Sequence, residues 1–257
     1  MPGPETQPGL VVPGVFYGVT DGPALDVLQA LARVGGGGDP RGPWFIADNL
    51  ITYGHTRGFL TEPRFVAAVL AARPGPHELA LAWRTHTLSW AADSVSGLPG
   101  DFVECGTYQG YSAEVLMHFT DGLPERRLWL YDLFDPSGGA GEGHRLPAHA
   151  PELADQVRYR FRRWRNVVVT QGKVPQILAD GAPDQIAFLH IDMNNAEAER
   201  GALEVLFDRV AIGGVIVLDD YGWNGYRAQK DTADDFMRSR GLCVLELPTG
   251  QGLVVKR

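Results

Sequence analysis

The segment Asp101-Phe102-Val103-Glu104-Cys105-Gly106-Thr107-Tyr108-Gln109-Gly110-Tyr111-Ser112 is an apolar strand that reaches an acid and then a turn bracketed by two glycines. This strand-turn-helix order constrains the fold more than any other feature, because it is how a Rossmann-like sheet opens a crevice for a nucleoside cofactor. Gly106 lets the backbone pass close to a ligand where a Cβ would collide, and Tyr111 to Leu116 can start a helix whose first amides face that ligand. The spacing Glu104-x-Gly106-x-x-x-Gly110 differs from Gly-x-Gly-x-x-Gly, which turns its amides onto a pyrophosphate. The looser turn behind an acid suits S-adenosylmethionine, which has no phosphate and carries an amino group. A dinucleotide, or a glycine-rich turn without function, stays open as an alternative on the loop alone.

A chain of 257 residues that is 44% hydrophobic can bury the core of one large α/β domain with a small N-terminal addition. Its formal net charge of -8 argues against general attraction to nucleic acid or to an anionic membrane, so small or neutral substrates fit better. The cysteines, Cys105 and Cys243, cannot make a disulfide framework, and the start has neither a cationic segment nor an apolar one of the export type. No run is long and apolar enough to span a bilayer, so a cytoplasmic protein is expected.

Residues 1–49 are rich in glycine and proline and read as an arm or loop, interrupted at Gly35-Gly36-Gly37-Gly38-Asp39-Pro40. Helical periodicity over 58–95 predicts a helical cap, giving an N-terminal arm and cap over 1–97 and a cofactor-binding domain over 98–257. Short apolar strands are expected at Phe102–Cys105, Leu128–Tyr131, Val167–Thr170, Ile186–Ile191 and Val215–Leu218, separated by helical or loop segments as in a buried parallel sheet. Leu242–Leu247 and Leu253–Val255, joined by Pro248-Thr249-Gly250-Gln251-Gly252, predict an antiparallel hairpin that completes a seven-stranded sheet.

Ligands of such sheets bind beyond the carboxyl ends of the strands, and those ends are acidic here. Asp132 is placed to accept hydrogen bonds from both ribose hydroxyls, with Leu133 and Phe134 beside it; the alternative is a cap for the following turn. Glu104, Gly106 and Ser112 are expected near the methionine portion of the same cofactor and Gln171 and Gly172 near its base, with Thr107, Tyr108 and Gly110 also among the cofactor-binding residues. Asp192, Asp219 and Asp220 are expected to converge, and a hard dication such as Mg²⁺ or Ca²⁺ would relieve their repulsion and hold a substrate hydroxyl in line with the methyl group. The bland reading is a helix N-cap and two turn acids.

These residues resemble the macrocin O-methyltransferase (TylF/MycF) family. Gly100 to Gly106 followed by Gly110 is similar to its first motif, Tyr131-Asp132-Leu133-Phe134-Asp135 to its second, Asp192 to its first metal aspartate and Val217-Leu218-Asp219-Asp220-Tyr221 to its closing segment, over roughly residues 79–257. The resemblance implies a class I S-adenosylmethionine-dependent methyltransferase fold, use of S-adenosylmethionine and Mg²⁺ to methylate a sugar hydroxyl of a glycosylated natural product, and a homo-oligomer. One departure bears on mechanism. The family carries Asp-Gly-Asp where this chain reads Asp192-Met193-Asn194-Asn195, and Asn194 cannot take a proton. The base then falls to His144 or Glu142 in the glycine- and proline-rich segment 138–151, or a metal beside Asp192 acidifies the hydroxyl enough for water to serve.

The basic and aromatic run Arg158 to Arg165 reads as a solvated helix face or a subunit contact rather than a nucleic-acid site. Trp44, Tyr53 and Trp223 are candidates for an apolar wall beside a bulky substrate or for ordinary core packing. Beside the sugar O-methyltransferase stand a catechol or phenol O-methyltransferase, a nicotinamide-dependent oxidoreductase, which lacks the dinucleotide spacing, and a nucleoside-binding scaffold, which leaves the carboxylates unexplained.

Overall fold

The computed structural model describes residues 9–18, 21–35, 42–134, 146–179 and 181–257, and the chain divides into two units, Met1–Ser89 and Trp90–Arg257. In the first, Gly22–Gly35 is helix α1, and strand β1 (Trp44–Ala47) pairs antiparallel with β2 (Leu50–Tyr53). The stretch read as an arm or loop therefore holds regular structure. The cause is local: Asp48 and Asn49 both take positive φ, 53° and 56°, which a two-residue type I′ hairpin turn requires. Buried Asp48 accepts from Arg84 Nε at 2.6 Å and Nη2 at 2.8 Å, which locks the turn onto helix α4. The stretch with helical periodicity forms α2 (Pro63–Ala71), α3 (Pro76–Ala80) and α4 (Ala82–Ser94). The Trp44 and Tyr53 rings meet across the hairpin at 4.6 Å, tilted by 50°, while Trp223 belongs to the second unit.

The second unit alternates strand and helix: β3 (Asp101–Cys105), α5 (Tyr111–Phe119), β4 (Leu128–Asp132), α6 (Leu153–Phe161), β5 (Val167–Gln171), β6 (Ile186–Ile191), α7 (Ala196–Leu206), β7 (Val210–Leu218), α8 (Arg227–Arg238), β8 (Leu245–Glu246) and β9 (Gly252–Val255). The sheet order is β5-β4-β3-β6-β7-β9-β8; the first five strands are mutually parallel and β9 is antiparallel to both of its neighbours, β7 and β8, so the five parallel strands and the closing hairpin are those the apolar runs predict. β8 is shorter than expected because Leu242 N donates to Met237 O and so closes helix α8. No helix among the described residues is long and apolar enough to cross a membrane.

Two details position the site. The order reverses between β3 and β6, so the crevice at their carboxyl ends is the place where such a sheet takes a ligand. The pairing of β6 with β7 also changes register, from Ile186↔Val210 to Phe188↔Val215, across a kink that contains Gly213 at φ 83°. One face of the sheet packs Cys105, Ile191 and Leu218 into a core with Leu203 of α7 and Phe236 of α8. Helices α5 and α6 are joined by buried Glu114, which accepts from Arg160 Nη1 at 2.5 Å and, just past α6, from Arg163 Nη2 at 3.3 Å. Part of the basic run thus packs two helices together rather than lying free on a solvated face.

Candidate active site

The glycine turn after β3 is built by the sheet itself. Gly106 has φ 93°, and a Cβ there would overlap the backbone carbonyl of Asp192, which follows β6. The close approach that demands glycine is therefore between two chain segments, beside whatever the crevice binds. Gly110, at φ 75°, is the N-cap of α5, where a Cβ would come within 2.7 Å of the Phe161 ring. Asp132 ties the turn down: one carboxylate oxygen accepts from Tyr108 N at 2.6 Å and the other from Phe134 N at 2.7 Å. The structure shows Asp132 organising two loops, and a carboxylate that accepts two such bonds retains lone pairs for a further donor. Gly172 N donates to Asp132 O at 2.9 Å, which places Gln171 and Gly172 beside it. Leu133 is exposed and Phe134 buried, and Ser112 sits half-buried in the first turn of α5.

Strand alternation sorts the acids. Glu104 on β3 lies opposite His190 on β6, and His190 lies opposite Val217 on β7. Side chains two residues apart share a face, so Glu104, His190, Asp192 and Asp219 project from one side of the sheet. His190, Asp192 and Asp219 each bring one potential ligand atom to within 4.8 Å of the others. Asp220 is outside this group: it follows Asp219 by one residue and alternation sends it toward the face that carries Leu218. The convergence expected of three aspartates is in the structure one of two aspartates and a histidine.

His190 is 1% exposed, with Nδ1 2.9 Å from Glu104 Oε2 and Nε2 3.7 Å from Asp219 Oδ1. Burial alone would lower its pKa, but the carboxylates of Asp219 and Glu104 more than reverse this and push it up to about 10. Asp219 in turn accepts from Gln251 Nε2 at 2.9 Å, and Thr249 Oγ1 bonds Gln251 Oε1 at 3.0 Å. A buried polar chain therefore runs across β3, β6 and β7 into the turn before β9. Glu104 Oε1, Thr107 Oγ1, His190 Nε2 and Asn194 Oδ1 are buried without a hydrogen-bond partner. Each such atom costs about 1–3 kcal/mol unless something satisfies it, so their gathering at the crevice is what a site for a polar ligand shows. Asn194 itself holds φ 53° just beyond β6.

His144 and Glu142 lie outside the described residues. His190 and Gln251 were not among the expected site residues. The signal for His190 was present, since a histidine two places before Asp192 on a strand must share its face. Gln251 carries no such signal, because its partner is 32 residues away and reached only through the β7–β9 pairing.

On the opposite face, Glu199 of α7 is 7% exposed and accepts from Gln229 Nε2 at 3.0 Å. Desolvation first, then the charges of Asp220 and Asp219, raise its pKa from 4.5 to about 8, against the opposing hydrogen bonds from Gln229 and the Met193 amide. The native chain thus keeps a proton that the unfolded chain releases. Between these two pKa values Glu199 should make stability fall as pH rises, by up to about 1.4 kcal/mol per pH decade, with no further change above about 8. Urea midpoints measured across that window should show the slope in the parent and lose it in Glu199→Gln; parallel profiles would contradict the assignment.

The profile of the macrocin O-methyltransferase family matches residues 82–244 of this chain. An 8-demethyl-8-(2,3-dimethoxy-α-L-rhamnosyl)-tetracenomycin-C 4′-O-methyltransferase of Streptomyces olivaceus is 30% identical over 178 residues, 62% of this chain and 67% of that protein. A demethyldecarbamoylnovobiocin O-methyltransferase of Streptomyces niveus is 26% identical over 167 residues, 55% of this chain and 63% of that protein. Among solved structures, the O-methyltransferase NovP superposes with a TM-score of 0.58 at 22% identity, over 72% of this chain and 85% of that one. The apo structure of CalS11, described as a TDP-rhamnose 3′-O-methyltransferase of calicheamicin biosynthesis, gives 0.53 at 16% identity, over 78% and 96%. These likenesses show the class I S-adenosylmethionine-dependent methyltransferase fold.

Proposed function

Because the chain belongs to the macrocin O-methyltransferase family, we propose that it transfers the methyl group of S-adenosylmethionine to a sugar hydroxyl of a glycosylated natural product. The observation that carries this is the set of buried, unpartnered atoms at the crevice, Glu104 Oε1, Thr107 Oγ1 and Asn194 Oδ1, gathered beside the Gly106 turn. They suit a cofactor with an ammonium group and hydroxyls to donate. The sugar comes from the relatives: the first one's name puts its methyl group on the 4′-oxygen of a rhamnosyl tetracenomycin.

Bound S-adenosylmethionine supplies an electrophilic methyl group. The chain's residues then have to hold the donor, present the acceptor oxygen and take its proton. Glu104, with one carboxylate oxygen on His190 and the other unpaired, faces the amino group; Asp132 takes the ribose while holding the Tyr108 and Phe134 amides. Asn194 Oδ1 accepts from the incoming hydroxyl and orients it, but cannot remove its proton. That proton passes to a carboxylate at the crevice, Asp192, or to water. The pairing of Asp192 with Asp219 beside an unsatisfied His190 nitrogen fits a divalent cation, which Asp192 and Asp219 would hold and which would supply acidity to the acceptor hydroxyl.

Transfer from labelled donor should be detected on at least one sugar of a panel of glycosylated polyketides and aminocoumarins, with methylation located on a sugar oxygen by mass spectrometry. Modification confined to phenols in that panel would reject the sugar reading. Asp132→Ala should weaken S-adenosylhomocysteine at least tenfold in calorimetric titration, because it removes a charge-assisted acceptor and frees two loops, together about 1.5–3 kcal/mol. Unchanged affinity in the folded variant would remove Asp132 from the donor site.

A further inference from the structure

His190 is arranged as a ligand. Its Nδ1 is held by Glu104 Oε2 at 2.9 Å, so the carboxylate fixes the ring, and one ring nitrogen lies within 4.8 Å of a ligand atom from each of Asp192 and Asp219. Nε2 is buried and has no hydrogen-bond partner, and Asp219 Oδ1 lies 3.7 Å from it, too far for a hydrogen bond. Two donors bound to one ion, each about 2.1 Å from it, lie roughly 3–4 Å apart. A carboxylate on the far nitrogen of an imidazole is also the partner that metal-binding histidines use to set their tautomer and basicity. Gln251 does the corresponding work for Asp219, donating to Oδ1 at 2.9 Å and fixing the carboxylate plane.

We propose that His190, Asp192 and Asp219 form a mixed nitrogen and oxygen site for a first-row transition-metal dication of the Mn²⁺ or Co²⁺ type, with Glu104 and Gln251 as its supporting shell. The inference rests on the metal-assisted reading of the same crevice and changes its ligand set. Imidazole favours first-row transition ions, whereas Mg²⁺ keeps to oxygen donors, so the histidine selects against magnesium. Three protein ligands leave coordination positions open on the crevice side.

The full chain, stripped of metal, should be titrated calorimetrically with Mn²⁺, Co²⁺ and Mg²⁺, and the Mn²⁺ form examined by pulsed EPR for coupling to a directly bound imidazole nitrogen. One ion per chain, Co²⁺ binding at least tenfold tighter than Mg²⁺, and a nitrogen signal are expected. His190→Gln should abolish the nitrogen signal and weaken Co²⁺ by about 10- to 100-fold while leaving Mg²⁺ within twofold. A Mn²⁺ spectrum without nitrogen coupling, or equal affinity for Co²⁺ and Mg²⁺, would overturn the histidine ligand while leaving an oxygen-bound cation in place. Failure of every dication to bind would overturn the metal-assisted reading as well, with the transfer assay still deciding the acceptor. If His190→Gln does not fold, the spectrum of the parent protein is sufficient by itself.

Discussion

Gly106→Ala should lose a substantial part of its stability, and its donor site with it. The residue holds φ 93°, and a Cβ would overlap the carbonyl of Asp192. Neither side can yield cheaply, because Asp192 N donates to Cys105 O at 2.8 Å and Gly106 N to Tyr131 O at 2.8 Å, so movement breaks the ladder between β6, β3 and β4. A left-handed backbone costs alanine about 1–2 kcal/mol and overpacking about 1–3 or more, together about 2–5 or more against the roughly 5–15 kcal/mol that holds a domain folded. Gly225→Ala is the control, since nothing lies within 4 Å of a Cβ there. Urea unfolding and S-adenosylhomocysteine titration of both variants decide the matter; a Gly106→Ala protein with the parent's midpoint and affinity would show that the two segments can separate freely.

In the metal-free protein, Glu104→Ala should cost about 3–5 kcal/mol, because it strands a buried imidazolium that has lost the nearer of its two carboxylates. Both partners are 1% exposed, so water cannot replace the missing charge without opening the sheet. The expected result has a specific form in a double-mutant cycle. In a His190→Asn background, where no buried cation is left to strand, the same Glu104→Ala change should cost at least about 1.5 kcal/mol less. Additive losses in denaturant unfolding at neutral pH would mean that Glu104 contributes by packing alone.

The architecture of the second unit was legible because each parallel strand is buried on both faces and so reads as a short apolar run between turn residues. The glycine turn, Asp132, Asp192 and Asp219 were legible for a related reason, since acids interrupt those runs at the ends where ligands bind. What escaped had non-local causes. His190 sits inside the run Ile186 to Ile191 and looks like one more strand position until Glu104 is set opposite it. Gln251 reads as a turn residue, and only the antiparallel return of β9 brings it to Asp219. The β1–β2 hairpin is different, for its Asp48-Asn49 turn between two apolar runs was a local signal masked by the glycines and prolines around it.

The kink in β7 decides which of two adjacent aspartates takes part in the site. From Val210 to Val215 there are five steps, against two from Ile186 to Phe188, so β7 carries an odd excess over its neighbour. An odd excess inverts parity for every residue downstream. With an even one, the residue beside His190 and Gln251 would be Asp220, and Asp219 would point at Glu199. The assignment is thus written several residues upstream, in the length of the segment around Gly213, and the Asp-Asp pair works as a selector whose setting changes with one insertion or deletion there. When this strand is aligned to a relative or grafted into another sheet, the quantity to preserve is the count from the kink rather than the position of the acidic pair.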